Sequence, residues 1–361
     1  MADSLRPARY AAGAVQSSKP NRKTYLDDGG SSALAAGELA ILRAIRHRAG
    51  RLPSRGVRLG IGDDCALLSV RAGEELAVTT DLSIEGRHFR LDWHPAESVG
   101  HRTLARGLSD LAAMGARPVA AFLSLGLPRE LTVAKVGSRA WVERFLDGFM
   151  GLAAQHGVPL AGGDLAESPF AIADIVLTGA VPRGEAMLRS GARPGDRIYV
   201  TGSLGGAAAE LEALGASPKL FAQCTALVGA APHLYPQPRV AQGLWLRKRG
   251  LASAAMDVSD GLSTDLTHLC ESSGVAAEVE ASALPLGPGA TLPKALHGGE
   301  DYELLFTAPV SARIPRKIAG VSLTAIGRIV SFKADRPRIM LRSANGVEAL
   351  EPHGWEHFSG G

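Results

Sequence analysis

The sequence predicts an α+β fold in two parts, on three observations. The chain has 361 residues, a length that suits two domains of ordinary size. Short apolar runs of strand type are interleaved irregularly with helical periods. That order argues for two mixed domains rather than one doubly wound sheet. A loop rich in Gly, Pro and Arg, at 182–196, separates two such series. The expected organisation is a flexible extension over 1–33, a first domain over 34–182 and a second α/β domain over 183–361.

Taken in order, the extension lacks the apolar centre of a signal peptide, and its Arg, Ser, Gly and Asp content reads as flexible chain. Asp3, Asp27 and Asp28 spoil the acid-poor pattern of a transit peptide. Residues 36–49 place Leu39, Leu42 and Ile45 at helical spacing. Residues 58–61 and 76–80 read as short strands. Residues 95–114 read as a helix, with Pro95 in its first turn and Gly115 just past its end. A strand at 119–125, a helix at 133–156 and strands at 158–161 and 172–181 complete the first domain. The second opens on a strand from Asp196 to Thr201. Helices follow at 205–214, 219–228, 239–249 and 260–273, the last stopped by Gly274. Strands at 275–280, 303–306 and 323–326 finish the series.

Composition narrows the function. Apolar residues make up 46% of the chain and charged residues 21%, enough for a sizeable core. The net charge of +3 gives no footprint for a dedicated nucleic-acid binder. Arg247-Lys248-Arg249 is the densest basic run, and a solvated helix end explains it. Cys65, Cys224 and Cys270 are few and scattered, which fits a reduced, cytoplasmic protein better than a disulfide framework or a zinc site. No apolar run has the length of a membrane span.

The aspartates carry the most information. Asp63-Asp64 follows Leu59-Gly60-Ile61-Gly62, Asp81 follows Val78-Thr79-Thr80, Asp164 follows Gly162-Gly163, and Asp257 follows Ala254-Ala255-Met256. Each ends an apolar or glycine-rich stretch, so each is expected at a strand end, where scaffolds present ligands. Singly, each reads as a turn residue or a helix N-cap. Together they suit Mg²⁺, a hard cation held by a few carboxylates and substrate phosphates. Clustered carboxylates repel one another, so several ions are implied. Asp110 lies inside the predicted helix, among small residues from Gly107 to Gly115. No GxxxxGK[ST] loop, protein-kinase signature or GxSxG elbow occurs. The Gly202–Gly206 run reads as a turn opening a helix.

These motifs occur in a characteristic order. Gly60-Ile61-Gly62-Asp63-Asp64, Thr79-Thr80-Asp81, Gly86-Arg87-His88-Phe89 and Leu108-Ser109-Asp110-Leu111-Ala112-Ala113-Met114-Gly115 come first. Gly162-Gly163-Asp164, Leu188-Arg189-Ser190-Gly191, Met256-Asp257-Val258-Ser259-Asp260-Gly261 and Gly298-Gly299-Glu300-Asp301-Tyr302-Glu303-Leu304 follow. From about Gly37 to Phe358 the chain resembles the thiamine-monophosphate kinase family. The resemblance implies the two-part fold of the aminoimidazole-ribonucleotide synthetase superfamily, with a homodimer formed through the N-terminal sheet. It implies transfer of a phosphoryl group from ATP to thiamine monophosphate, the last step of thiamine diphosphate formation. By motif, Asp64, Thr79, Thr80, Asp81, Asp110, Asp164, Asp257 and Asp260 resemble Mg²⁺ ligands. Gly163, Asp164, Arg189 and Ser259 resemble ATP contacts. His88, Glu300 and Trp355 resemble contacts to thiamine phosphate.

The acceptor phosphate is already deprotonated at neutral pH, so no general base is expected. The work is positioning and charge neutralisation by several Mg²⁺ ions. Two departures from the family pattern stand out. Gly107 replaces a frequent Asn, and Leu165 replaces a frequent Thr. Sister enzymes are disfavoured: a selenophosphate synthetase would carry a reactive Cys in a glycine-rich N-terminal loop, and a carbamoyl-dehydrating hydrogenase maturation factor would end in Cys, whereas this chain ends Ser359-Gly360-Gly361. A non-catalytic nucleotide sensor and a metal-dependent phosphatase are the readings from other classes.

Overall fold

The computed structural model describes residues 38–50, 56–62, 65–135, 137–220 and 231–355. Its first half runs α1 (Glu38–Ala49), β1 (Val57–Leu59), β2 (Leu67–Leu68), β3 (Glu74–Ile84), α2 (Ala96–Ala113), β4 (Arg117–Leu127), α3 (Trp141–His156), β5 (Leu160–Glu167) and β6 (Ile172–Pro182). Strands β3, β6, β4 and β5 form a sheet in that order, antiparallel except for the parallel β4–β5 pair. The β3–β6 ladder runs without a bulge from Glu74 opposite Pro182 to Ile84 opposite Ile172.

The second half runs β7 (Arg197–Thr201), α4 (Gly206–Ala216), α5 (Val240–Lys248), β8 (Ala254–Val258), α6 (Leu262–Ser273), β9 (Val275–Glu280), α7 (Leu292–His297), β10 (Glu303–Ala308), β11 (Lys317–Ile318), β12 (Val321–Ser331), β13 (Ile339–Ser343) and β14 (Gly346–Ala349). Its sheet has the order β14-β13-β9-β12-β7-β10-β8, with β11 added on β12.

Helix α2 joins the halves. It is buried on nearly every side, as expected for a helix lying between other layers. It packs on β3 and β6 of the first sheet, on β8 and β10 of the second, and on α3 and α5. Glycine permits the closest of these approaches. A Cβ on Gly148 of α3 would sit 1.8 Å from the Glu97 carbonyl, and one on Gly100 would sit 1.9 Å from the Phe145 carbonyl. Leu104, Leu108 and Leu111 of α2 join Phe145 and Phe149 of α3 in one core that also takes in Tyr199 and Phe306 of the second sheet. A second core packs Leu262, Leu266 and Leu269 of α6 on Met256, Ile326 and Val279.

Several expectations need correction. The small residues around Asp110 are buried within the chain, on a helix that packs against α3 and α5. The helix expected over 133–156 begins at Trp141, because the chain turns at Gly137 with a φ of +76° and Glu143 then accepts from the Ala140 N–H. Of the helix expected over 219–228 only the first two residues are described, in the 3₁₀ turn Pro218–Leu220, and the rest lies outside the described residues. Most consequential, Asp81 and Asp164 are not at strand ends. Asp81 lies well inside β3, Asp164 inside β5, and Asp257 one residue from the end of β8. Pairing with one neighbour, β6, β4 or β10 in turn, carries each strand straight through a residue type of low β-propensity.

Candidate active site

Strand alternation sends Thr79 and Asp81 to one face of the first sheet and Thr80 to the other. The first face meets α2, where Arg106 and Asp110 stand one helical turn apart. Thr79 Oγ1 donates to Asp110 Oδ2. Arg106 Nη2 meets Asp81 Oδ1 at 2.5 Å. From the second sheet, β8 brings Asp257, which accepts from Ser109 Oγ at 2.6 Å. Beyond β8 the turn at 259–261 presents Ser259 and Asp260. Asp265, inside α6, fastens that turn, its Oδ2 accepting from the backbone N–H groups of Ser259, Asp260 and Gly261 at 3.0 to 3.1 Å. Sequence reading missed Asp265, because a carboxylate that caps a helix from within has no local signature.

Burial raises the pKa of all three facing carboxylates. Asp110 is pushed up to about 6 by burial and by repulsion from Asp257, against Thr79's hydrogen bond and the charge of Arg189. Asp257 is raised by burial, with Ser109 opposing. Asp81 is raised by burial although Arg106 opposes it. Asp265 rises to about 8 through burial and its acidic neighbours.

Among the described residues no three acidic, imidazole or thiol groups close on one point as a metal cage. The carboxylates line an open wall instead. Mg²⁺ usually keeps several waters and takes one or two carboxylates plus phosphate oxygens, so an open, all-oxygen, mutually repelling set fits it.

That wall is one end of a cavity of about 760 Å³. Thr80, Asp81, Asp110, Asp257, Ser259 and Asp260 line it, and so do His88, Glu300 and Trp355 from three distant parts of the chain. Thr80 reaches the acidic wall through its backbone, given the face its side chain occupies. Phe89, Trp93, Leu211 and Gly215 add apolar lining to the same cavity. Trp93 carries the Arg90 guanidinium over its ring at 4.6 Å. Trp355 is 54% exposed at the rim, and its backbone N–H donates to the Asp260 carbonyl at 3.0 Å. His88 Nδ1 accepts from the Ile84 N–H at 3.1 Å, which leaves the proton of the neutral ring on Nε2.

Glu300 sits at a φ of +67°, a left-handed conformation a glutamate rarely adopts. Two buried groups hold it, the Arg102 guanidinium and the His233 imidazole, whose own pKa is lowered by burial and by the charge of Arg102. Arg102 Nη2 meets Glu300 Oε1 at 2.5 Å, and His233 Nδ1 lies 3.0 Å from Oε2. Arg102 also donates to the His233 carbonyl at 2.7 Å, and His94 Nε2 lies 3.0 Å from His233 Nε2. Burial alone would raise the Glu300 pKa; Arg102 and His233 outweigh it and hold the carboxyl well below its usual range. His94 is pushed down to about 3 by burial and the charge of Arg102. The sequence singled out Glu300 but none of its partners.

Other expected site residues stand apart from this cavity within one chain. Gly163 has a φ of +145°, and a Cβ there would fall 1.8 Å from the Leu123 carbonyl, so sheet packing alone demands glycine. Asp164 is exposed beside Ser124 on the sheet face opposite α2, and its Oδ1 accepts from the Leu165 N–H. Arg189 does not line the cavity, yet its charge lowers both Asp110 and Asp257. Asp64 lies outside the described residues. The Gly202–Gly206 turn does open a helix, and its N-terminus is already occupied: the buried Asp301 carboxylate accepts from Gly205 N at 2.6 Å and Ala207 N at 3.3 Å.

Comparison with known proteins gives a consistent picture. Residues 62–181 match the family described as AIR synthase related protein, N-terminal domain, and residues 193–330 match AIR synthase related protein, C-terminal domain. The chain is 40% identical over 340 residues to a thiamine-monophosphate kinase of Salmonella typhimurium, spanning 90% of this chain and 99% of the relative. Its fold resembles the crystal structure of thiamine-monophosphate kinase from Stenotrophomonas maltophilia, with a TM-score of 0.70, 39% identity and coverage of 84% and 96% of the two chains. It also resembles a structure described as AaThiL complexed with AMPPCP and TMP, with a TM-score of 0.68, 30% identity and coverage of 89% and 97%.

Proposed function

The chain belongs to the thiamine-monophosphate kinase family, and from that premise we propose how its cavity performs the reaction. The enzyme is a thiamine-phosphate kinase that uses ATP to convert thiamine monophosphate to thiamine diphosphate. The proposal rests on one observation: a single cavity is lined both by raised-pKa aspartates and by apolar, aromatic side chains.

The γ-phosphate of ATP lies at the acidic wall, and the acceptor's rings lie between Trp355 and the apolar lining. An acceptor phosphate oxygen attacks the γ-phosphorus in line. The new O–P bond forms as the bond to the ADP leaving oxygen breaks, and no general base is needed. Asp81, Asp110, Asp257 and Asp260 hold Mg²⁺, with Thr79, Thr80 and Asp64 completing the set. When bound, Mg²⁺ neutralises the phosphate charge that would otherwise oppose the two anions meeting. Ser259 and Arg189 contact ATP, and Arg189 offers a fork to phosphate. His88 and Glu300 fix the polar groups of the acceptor.

The homodimer forms through the open face of the first sheet. Leu76, Val78 and Leu82 stand 46%, 57% and 44% exposed there, an apolar row a solitary chain would leave in water. A Val78→Glu substitution puts a charge into the row and converts the dimer to monomers in sedimentation at micromolar concentration; a wild-type chain that sediments only as a monomer overturns the dimer. No described helix is long and apolar enough to cross a membrane, and with scattered cysteines this supports a cytoplasmic site of action. Release of ADP with thiamine phosphate, compared with thiamine, tests the activity. Release that ignores the acceptor supports a phosphatase instead.

A further inference from the structure

The cavity's two ends meet at a residue with no motif to advertise it. Arg106 lies on α2 one turn before Asp110, and its side chain is only 15% exposed. It lines the cavity between Asp81 and Asp110 on one side and Glu300 and Tyr302 on the other. Its charge acts on both groups, on Asp81 and Asp110 at the acidic wall and on Glu300 at the acceptor end.

Its hydrogen bonds are incomplete. A guanidinium offers five N–H donors in a planar fork. Nη2 is committed to Asp81 at 2.5 Å. Nη1 has only long contacts, 3.5 Å to the Leu82 carbonyl and 3.5 Å to Ser83 Oγ. Nε is buried and has no partner among the described residues. Burying an unpartnered donor of a cation is unfavourable, and a residue needed only to neutralise Asp81 has no call for such an arrangement. Nε itself is closed off from the cavity, but an anion that meets the unfilled Nη hydrogens offsets the uncompensated charge. A phosphate monoester does so best, because its oxygens match the fork two at a time.

We propose that Arg106 binds the phosphate of the acceptor, holding it where the acidic and apolar ends of the cavity adjoin and so selecting thiamine phosphate over thiamine. The assignment rests on the kinase reading of the same cavity. Arg106 is a fixed cation at the place where two phosphates must approach. It offsets part of their repulsion before transfer begins.

Calorimetry on the full chain tests this, with AMPPCP and Mg²⁺ saturating and thiamine phosphate or thiamine as titrant. The wild type is expected to bind thiamine phosphate at least about ten-fold tighter than thiamine, the scale of a charge-assisted pair. Arg106→Gln brings the two affinities to within about two-fold while leaving that for thiamine unchanged. Inorganic phosphate competes with thiamine phosphate in the wild type and loses that effect in the variant. If Arg106→Gln does not fold, Arg106→Lys, which keeps the charge and loses the fork, lowers the preference by about three-fold or more. An unchanged preference in the folded variant, or equal weakening of both titrants, overturns the assignment. Absence of wild-type turnover sinks the kinase reading instead, so the two failures are told apart.

Discussion

The two ends of the cavity use the same functional group in opposite states. At one end Asp110 and Asp257 face each other with a hydroxyl donor apiece, and burial and repulsion raise their pKa values. At the other, Glu300 has Arg102 and His233 on its two oxygens and is held strongly acidic. The first pair is poorly neutralised by the protein and suits an arriving cation. The second is already neutralised, so its value lies in fixed position. A carboxylate in a cavity is therefore read from what already compensates it, and residue type alone does not separate a metal ligand from a framework member.

Removing the charge at either end is the sharpest way to break this contrast. Asp110→Asn is expected to lower kcat by about 10²–10³-fold, the scale for loss of one electrostatic group acting on the transition state. The same variant, without metal, should melt at a higher temperature than the wild type, because a repelling charge has gone. Near wild-type turnover at saturating Mg²⁺ would put Asp110 outside the metal set. At the opposite end, Arg102→Met leaves Glu300 without its main partner. With Glu300 24% exposed at its side chain, the expected loss is roughly 2–3 kcal/mol in urea unfolding, below the value for a fully buried pair. If Arg102→Met were as stable as the wild type, the compensation at Glu300 would be idle.

Trp355→Ala tests whether the rim belongs to the acceptor end alone. Loss of stacking should weaken thiamine-phosphate binding by about 1–3 kcal/mol and leave ATP binding unchanged. Equal loss for both makes Trp355 a packing residue.

The smallest expected effect is the pH dependence of the metal-free protein. Asp110 moves from 3.8 to about 6 on folding, so the folded chain holds that proton more tightly. Its contribution to stability is complete below pH 3.8 and is lost as pH rises through about 6. Asp265, raised to about 8, extends the same decline. Glu300 behaves oppositely, stabilising above its ordinary pKa and failing as acid titrates it. Melts of the wild type and of Asp110→Asn, compared from pH 5 to 8 without Mg²⁺, cancel the opposite contribution of buried histidines such as His94. The advantage of the variant should grow as pH rises and shrink when Mg²⁺ is added. An advantage that falls with pH would reverse the sign assigned to Asp110.

Much of this was legible in the residues. Pro95 and Gly115 bracket α2, and Gly274 stops α6 at a φ of +67°, because caps are local chemistry. Asp81, Asp110 and Asp257 were legible from their spacing and order. The strands running through those aspartates were not, since only pairing with β6 and β10 holds them extended. Arg102, Arg106, His94 and His233 were equally silent. Each is an ordinary polar residue until the fold places its partner, and Glu300 lies 198 positions from Arg102. The Gly107 departure is mild, since an added Cβ would meet Leu177 and Thr79 at no less than 3.4 Å.

The unbroken β3–β6 ladder gives the first sheet the character of a reading frame. With no bulge from Glu74 to Ile84, nothing in the strand absorbs a change in length. Deleting one residue between Glu74 and Thr79 would slide Thr80 and Leu82 onto the α2 face and turn Asp81 outward. The apolar row and the acidic wall would change places in a single event. Substitutions can therefore drift along β3 one side chain at a time, whereas insertions and deletions there are all-or-nothing, and lineages of this enzyme should vary in length at the 128–140 loop long before they vary in β3.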